Sequence, residues 1–257
     1  MSLKPSQAIQ VVWFLTANDD IKADRVFELM FEGEPENVQK NRTPNPVNPF
    51  LSTASGTIDA LKLDASVQVQ VGRVDLVISP HFAEDDFSAA QVVLFDTEKV
   101  LRILEAAYEQ LGSTMKSAFR LAIVANTIDQ ADSYLEALQK ACEIVGITQY
   151  GPDVSDFMFQ LNRRKGFDGN LTVNRLMRFS IVEIKNVTIS LNAIMPPTFV
   201  TYPSALTNAF GVMTTYDLNT VPDGQIIEPS KQTAVLKVLT SELLSLASIG
   251  SPKALEG

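Results

Sequence analysis

The chain is nearly bare of the two residue types most used for metal binding and nucleophilic catalysis. It holds one histidine, His81, and one cysteine, Cys142. A single cysteine rules out a disulfide framework, and one histidine rules out a multi-histidine metal centre. A Ser-His-Asp relay could use only His81 as its base. No Gly-x-Ser-x-Gly elbow, no Walker loop and no dinucleotide-type glycine loop occurs, so nucleotide-dependent enzymes of those classes lack support. No uninterrupted apolar run exceeds that of Val11 to Leu15, whereas a membrane span needs roughly 20 residues. Positive charge is also scarce. Lys and Arg number 21 against 30 Asp and Glu, a net charge of −9. A nucleic-acid-binding domain is expected to be basic, so that function is excluded as an expectation.

What is present reads as a globular α+β protein. Hydrophobic residues make up 46% and charged residues 20% of the 257 positions, above the threshold for disorder. The length suits one large domain or two of about 110–130 residues. Residues 8–16 are β-branched and aromatic and predict a buried strand, followed by a helix over 21–32. Pro35, Pro44, Pro46 and Pro49 predict a long loop over 34–56. Strands are expected at 57–63, 66–71 and 74–79, with turns at Asp64-Ala65 and Gly72-Arg73. Val67, Val69 and Val71 form the buried side and Gln68 and Gln70 the wet side. A fourth strand over 90–95 and a helix from about Thr97 to Leu111 complete the first half. The second half predicts strands at 119–124, 156–161, 171–184, 187–194 and 210–218, and helices at 129–145 and 231–248.

The halves share a pattern. Ala17-Asn18, Ala23-Asp24 and Glu28 match Ala125-Asn126, Ala131-Asp132 and Glu136 without a gap. Val100-Leu101-Arg102-Ile103-Leu104 matches Val235-Leu236-Lys237-Val238-Leu239. The expected architecture is therefore two β-α-β4-α units, at 4–115 and 116–255, with helices packed on one face of an antiparallel sheet. Residues 1–3 and 256–257 read as expression-vector scars outside it. This element order resembles that of saddle-shaped TATA-binding-like and helix-grip folds. The resemblance is one of topology and implies no function.

Two clusters stand out as candidate sites. His81 is followed by Glu84, Asp85 and Asp86, and an imidazole near carboxylates can ligate a divalent ion or move a proton. Arg163, Arg164 and Lys165 form the only dense basic run, expected at an exposed hairpin tip. The bland reading of each is a solvated charge run. Arg175 and Arg178 are expected to pair with Glu183 or Asp75 across a sheet, and Met177 to fill the core. The expected function is a non-catalytic binding protein that holds a protein partner or small ligand on its sheet or between its halves. His81, Asp85, Asp86, Arg163, Arg164 and Lys165 are the candidate contacts. No cofactor, metal, membrane or nucleic-acid partner is expected, and self-association and a cytoplasmic location are. A metal-dependent hydrolase built on His81, Glu84, Asp85 and Asp86 is the alternative, and a subunit of a larger assembly a third.

Overall fold

A computed structural model describes residues 3–17, 20–41, 50–58, 61–81, 94–111, 114–148, 151, 153–167, 170–184 and 209–257. The first half contains strand β1 (Ser6–Leu15), helix α1 (Ala23–Phe31), strands β2 (Asn37–Lys40), β3 (Phe50–Ile58), β4 (Leu63–Gln70) and β5 (Arg73–Pro80), and helix α2 (Thr97–Leu111). The second contains β6 (Ala118–Ala131), α3 (Tyr134–Val145), β7 (Met158–Gly166), β8 (Thr172–Ile184), β9 (Ala209–Thr220) and α4 (Pro229–Ile249). The described strands form one antiparallel sheet in the order β2-β3-β4-β5-β1-β6-β9-β8-β7. The molecule is thus α+β.

Period-two alternation puts one side of the inner strands into the core, whereas the edge strands β2 and β7 have no buried residue. Val11 and Trp13 of β1, Val67 and Val69 of β4, Val74 and Leu76 of β5, and Val173 and Met177 of β8 are all buried on that side. The helices cover it with leucine stripes. Leu101, Leu104, Tyr108 and Leu111 of α2 are buried, as are Leu236, Leu239, Leu243 and Leu246 of α4, at a constant spacing of 135. The two helices meet through Tyr108: its hydroxyl lies 3.4 Å from Thr240 Oγ1, and its carbonyl accepts a 3.1 Å bond from Thr233. Ser133 caps α3 by accepting from the Glu136 N–H, while the Glu136 carboxylate accepts from the Asp132 N–H. This reciprocal capping box sets where α3 begins.

Several expectations change. The 34–56 stretch is not all loop. It contains β2 and the start of β3, because Pro35 precedes β2 and the remaining prolines lie between the two strands. The tight turn falls at Leu61-Lys62, where Lys62 adopts φ 52°, and Asp64 and Ala65 belong to β4. Val71 is 75% exposed. It sits in the β4–β5 turn beside Gly72, whose φ of +71° suits glycine, so alternation stops one residue before it. The helix expected from Asp129 begins at Tyr134, since β6 runs on to Ala131 along β9. For the same reason the ungapped match of Ala17-Asn18 to Ala125-Asn126 fails: the latter pair lies mid-strand in β6, while Ala17 follows the end of β1. Glu256 and Gly257, expected to be a vector scar, are exposed, and the chain just before them is packed. Pro252–Glu256 form a 3-10 turn, and Leu255 is buried against the core. The strand expected over 187–194 lies outside the described residues. So does most of that over 90–95, of which Phe95 bridges to Ser6.

Among the described residues no helix is long and apolar enough to cross a membrane.

Candidate functional site

Because the helices pack on one side, the alternate positions of each strand form a second sheet face that no described helix covers. Its chemistry follows from residues that stand directly opposite one another. On the β2 side, Gln39 faces Thr53, Thr53 faces Gln68, and Gln68 faces Asp75. At the centre Asp75 meets Val12, which meets Ala122. On the β7 side Ala122 meets Asn219, Asn219 meets Asn174, and Asn174 meets Arg164. The row is polar at both flanks and apolar over the two central strands.

The polar groups are already oriented by one another. Arg164 Nε donates to Asn174 Oδ1 at 3.2 Å, Asn174 Nδ2 to Asn219 Oδ1 at 2.9 Å, and Asn219 Nδ2 to Asp217 Oδ1 at 2.8 Å. Across the centre, buried Asp75 accepts two 2.7 Å bonds from Arg73 and one from Gln10 Nε2. A bidentate guanidinium of this kind is fixed in direction as well as charge. Arg73 and Arg120 each lie 5.2 Å from the Phe14 ring centroid, a cation–π arrangement that holds both guanidiniums on this face. The Nε atoms of Arg120 and Arg178 are buried without a hydrogen-bond partner.

His81 lies at the rim of the same face, just past β5. Its Nδ1 is 2.7 Å from Asp64 Oδ1, and its backbone N–H donates to the Lys62 carbonyl. Asp64 stands opposite Ser79 and helps to wall a cleft of about 300 Å³, with Glu36, Asn37, Ser55 and Ser66. An Asp–His pair bonded through Nδ1 fixes the imidazole ring and leaves Nε2 for a further partner. The partner expected for His81 was Glu84, Asp85 or Asp86; those three lie outside the described residues. Among the described residues, no group of three or more His, Cys, Asp and Glu is placed to hold a metal ion.

The basic run is divided by the pleat rather than gathered at a hairpin tip. Arg163, Arg164 and Lys165 all belong to β7, an edge strand. Arg164 points to the open face. Arg163 and Lys165 point to the helix side, where Arg163 donates to the Leu255 carbonyl and Lys165 to Glu242. Opposite Arg163 stands Arg175, 2% exposed. It bonds Glu242 of α4 at 2.8 Å and the carbonyls of Leu255 and Gly257 at 2.9 Å each. Its partner is thus a helix carboxylate, not Asp75. This buried cluster ties β7 and β8 to α4 and the final 3-10 turn. Buried charges demand such full pairing.

Sequence reasoning missed Asp64 as the histidine's partner, and Asn174, Asp217 and Asn219 as an ordered polar chain. The alternation of β8 and β9 carried a signal: Asn174, Arg178 and Ser180 share one parity, as do Thr215, Asp217 and Asn219. What it lacked was register across strands.

No family model, no curated protein and no solved structure matches this chain.

Proposed function

We propose that this is a non-catalytic binding protein that holds a partner protein or a small polar ligand on the sheet face that no described helix covers. The observation that carries this reading is the distribution of the described helices: all of them pack on one side, and the other face carries pre-oriented amides, hydroxyls and paired charges. Such groups offer hydrogen bonds without the entropic cost of ordering them first. Val12 and Ala122 at the centre of the row are themselves buried, so the groups this face offers a partner are the polar ones on its flanks, Gln39, Gln68, Asn174 and Arg164 among them. A reducing, cytoplasmic setting goes with this reading, since Cys142 is free and buried.

The body that presents this face is read as an internal duplication of the TATA-binding-like type, with the units at 4–115 and 116–255. Two features support it. The strand order is mirrored about the β1–β6 pair, with β5, β4 and β3 on one side answered by β9, β8 and β7 on the other. The buried stripes of α2 and α4 also correspond residue by residue at one spacing. The open face carries Arg73, Arg120, Arg164 and Arg178, but they are scattered over four strands and interleaved with Asp64, Asp75 and Asp217. That pattern suits a protein or polar ligand rather than a phosphate backbone.

The test is affinity capture from cell extract with the wild-type chain, an open-face variant (Q68K with N174K) and a helix-side control (R102E). A retained species lost only with the open-face variant is expected. A species insensitive to that variant, or lost with the control, would place binding elsewhere.

The second reading, an enzyme using His81, has one observation in its favour, the 2.7 Å contact to Asp64. Hydrolysis of model esters or phosphoesters that disappears in His81→Ala would put this reading first.

A further inference from the structure

The outer edge of β7 is a different surface from the open face, and its composition is self-complementary. This nine-residue strand is the last of the described strands on its side of the sheet, and it is exposed along most of its length. Met158 is 69% exposed and Leu161 40%. Phe167 N–H donates to the Leu171 carbonyl in the β7–β8 register, so odd-numbered residues of β7 turn their N–H and C=O toward β8. The even-numbered residues Met158, Gln160, Asn162 and Arg164 therefore turn theirs outward, with no described strand beyond to receive them. Exposed Asp153 and Asp156 precede the strand, and Arg163, Arg164 and Lys165 occupy its far end.

We propose that this edge pairs with the same edge of a second copy of the chain, antiparallel and about a two-fold axis, in a register centred on Gln160. In that register outward-facing residues meet outward-facing residues, as a narrow antiparallel pair requires. Asp156 lies opposite Arg164 of the other copy, Met158 opposite Asn162, and Phe159 opposite Leu161. The acid end of each strand meets the basic end of its mate at both ends of the interface. A parallel arrangement would set acid beside acid and base beside base. Two-fold pairing closes on itself, so it uses up both edges and stops at two copies. An unprotected edge strand is otherwise an aggregation hazard.

The test is sedimentation velocity of the full chain from about 1 to 100 µM, the range in which a small edge-to-edge interface operates. A concentration-dependent shift from one 28.2 kDa chain to two is expected. Asn162→Pro removes an outward N–H while leaving the ladder to β8 intact, and should weaken pairing at least tenfold. Arg164→Glu should weaken it as well, and adding Asp156→Arg should restore it. Thermal melts of each variant verify that the monomer is folded. A wild-type chain that stays monomeric throughout, a dimer indifferent to Asn162→Pro and Arg164→Glu, or an open series of larger species would each overturn the proposal.

Discussion

At the scale of single residues, burial decides the chemistry of two tyrosines. Tyr108 is fully enclosed between α2 and α4, and desolvation pushes its phenol far above the usual range, although Thr240 donates a partial offset. Tyr216, on the core side of β9, is pushed up to about 12, again mainly by burial. In the unfolded chain both ionise near pH 10. Between that value and their folded-state values, the unfolded state sheds protons that the folded state keeps. The folding stability contributed by keeping these phenols neutral is therefore intact below pH 10 and drains away above it. Each tyrosine accounts for about 1.4 kcal/mol per pH unit in that window. Urea unfolding at pH 8, 10, 11 and 11.5 should show this fall. Tyr216→Phe should make it shallower, even if the variant is less stable at pH 8. An equally steep fall in the variant would assign alkaline unfolding to other groups.

At the scale of elements, the boundary between β6 and α3 depends on a cap more than on hydrophobic pattern. The apolar periodicity of 129–145 fits a helix from Asp129, yet β9 extends the strand to Ala131 and Ser133 starts the helix. The Asp132 N–H, and after it Lys140 paired with Glu136 at 2.9 Å, hold the Glu136 carboxyl below its ordinary range and reinforce the first turn. Replacing Ser133 with Ala removes one satisfied N–H and should cost roughly 1 kcal/mol. Denaturant melts should show this as a lower midpoint at unchanged slope. A loss well under half that size would mean that Glu136 alone sustains the turn.

At the scale of the whole molecule, charge is distributed unevenly. The chain carries −9 overall, while the open face alternates arginine with aspartate. A duplex or single strand of nucleic acid would need a continuous basic track to release counterions. At about 150 mM salt, random-sequence DNA and RNA should therefore show no binding tighter than ~10⁻⁴ M by fluorescence anisotropy. Micromolar binding that weakens steeply with salt would reverse this and point first to Arg120, Arg164 and Arg178, the open-face arginines without a carboxylate partner among the described residues.

Much of the architecture is legible in the amino-acid sequence alone. Alternation in Ser66 to Gln70 and in Thr172 to Ser180 names strands and their buried sides, because side chains of a pleated strand point to opposite faces in turn. The leucine spacing of α2 and α4 names both helices and the stripe each buries. Net charge and the single His and Cys bound the chemistry, since they need no fold to be counted. The sequence could not say which residues stand opposite one another. That Asp64 meets His81, that Asn174 and Asn219 join in one polar chain, and that Arg175 finds Glu242 rather than Asp75 all depend on strand order and register. Those are set by closing long loops between β1 and β6 and between β8 and α4. Local propensity carries no information about such non-local pairing, so only the tertiary structure decided it.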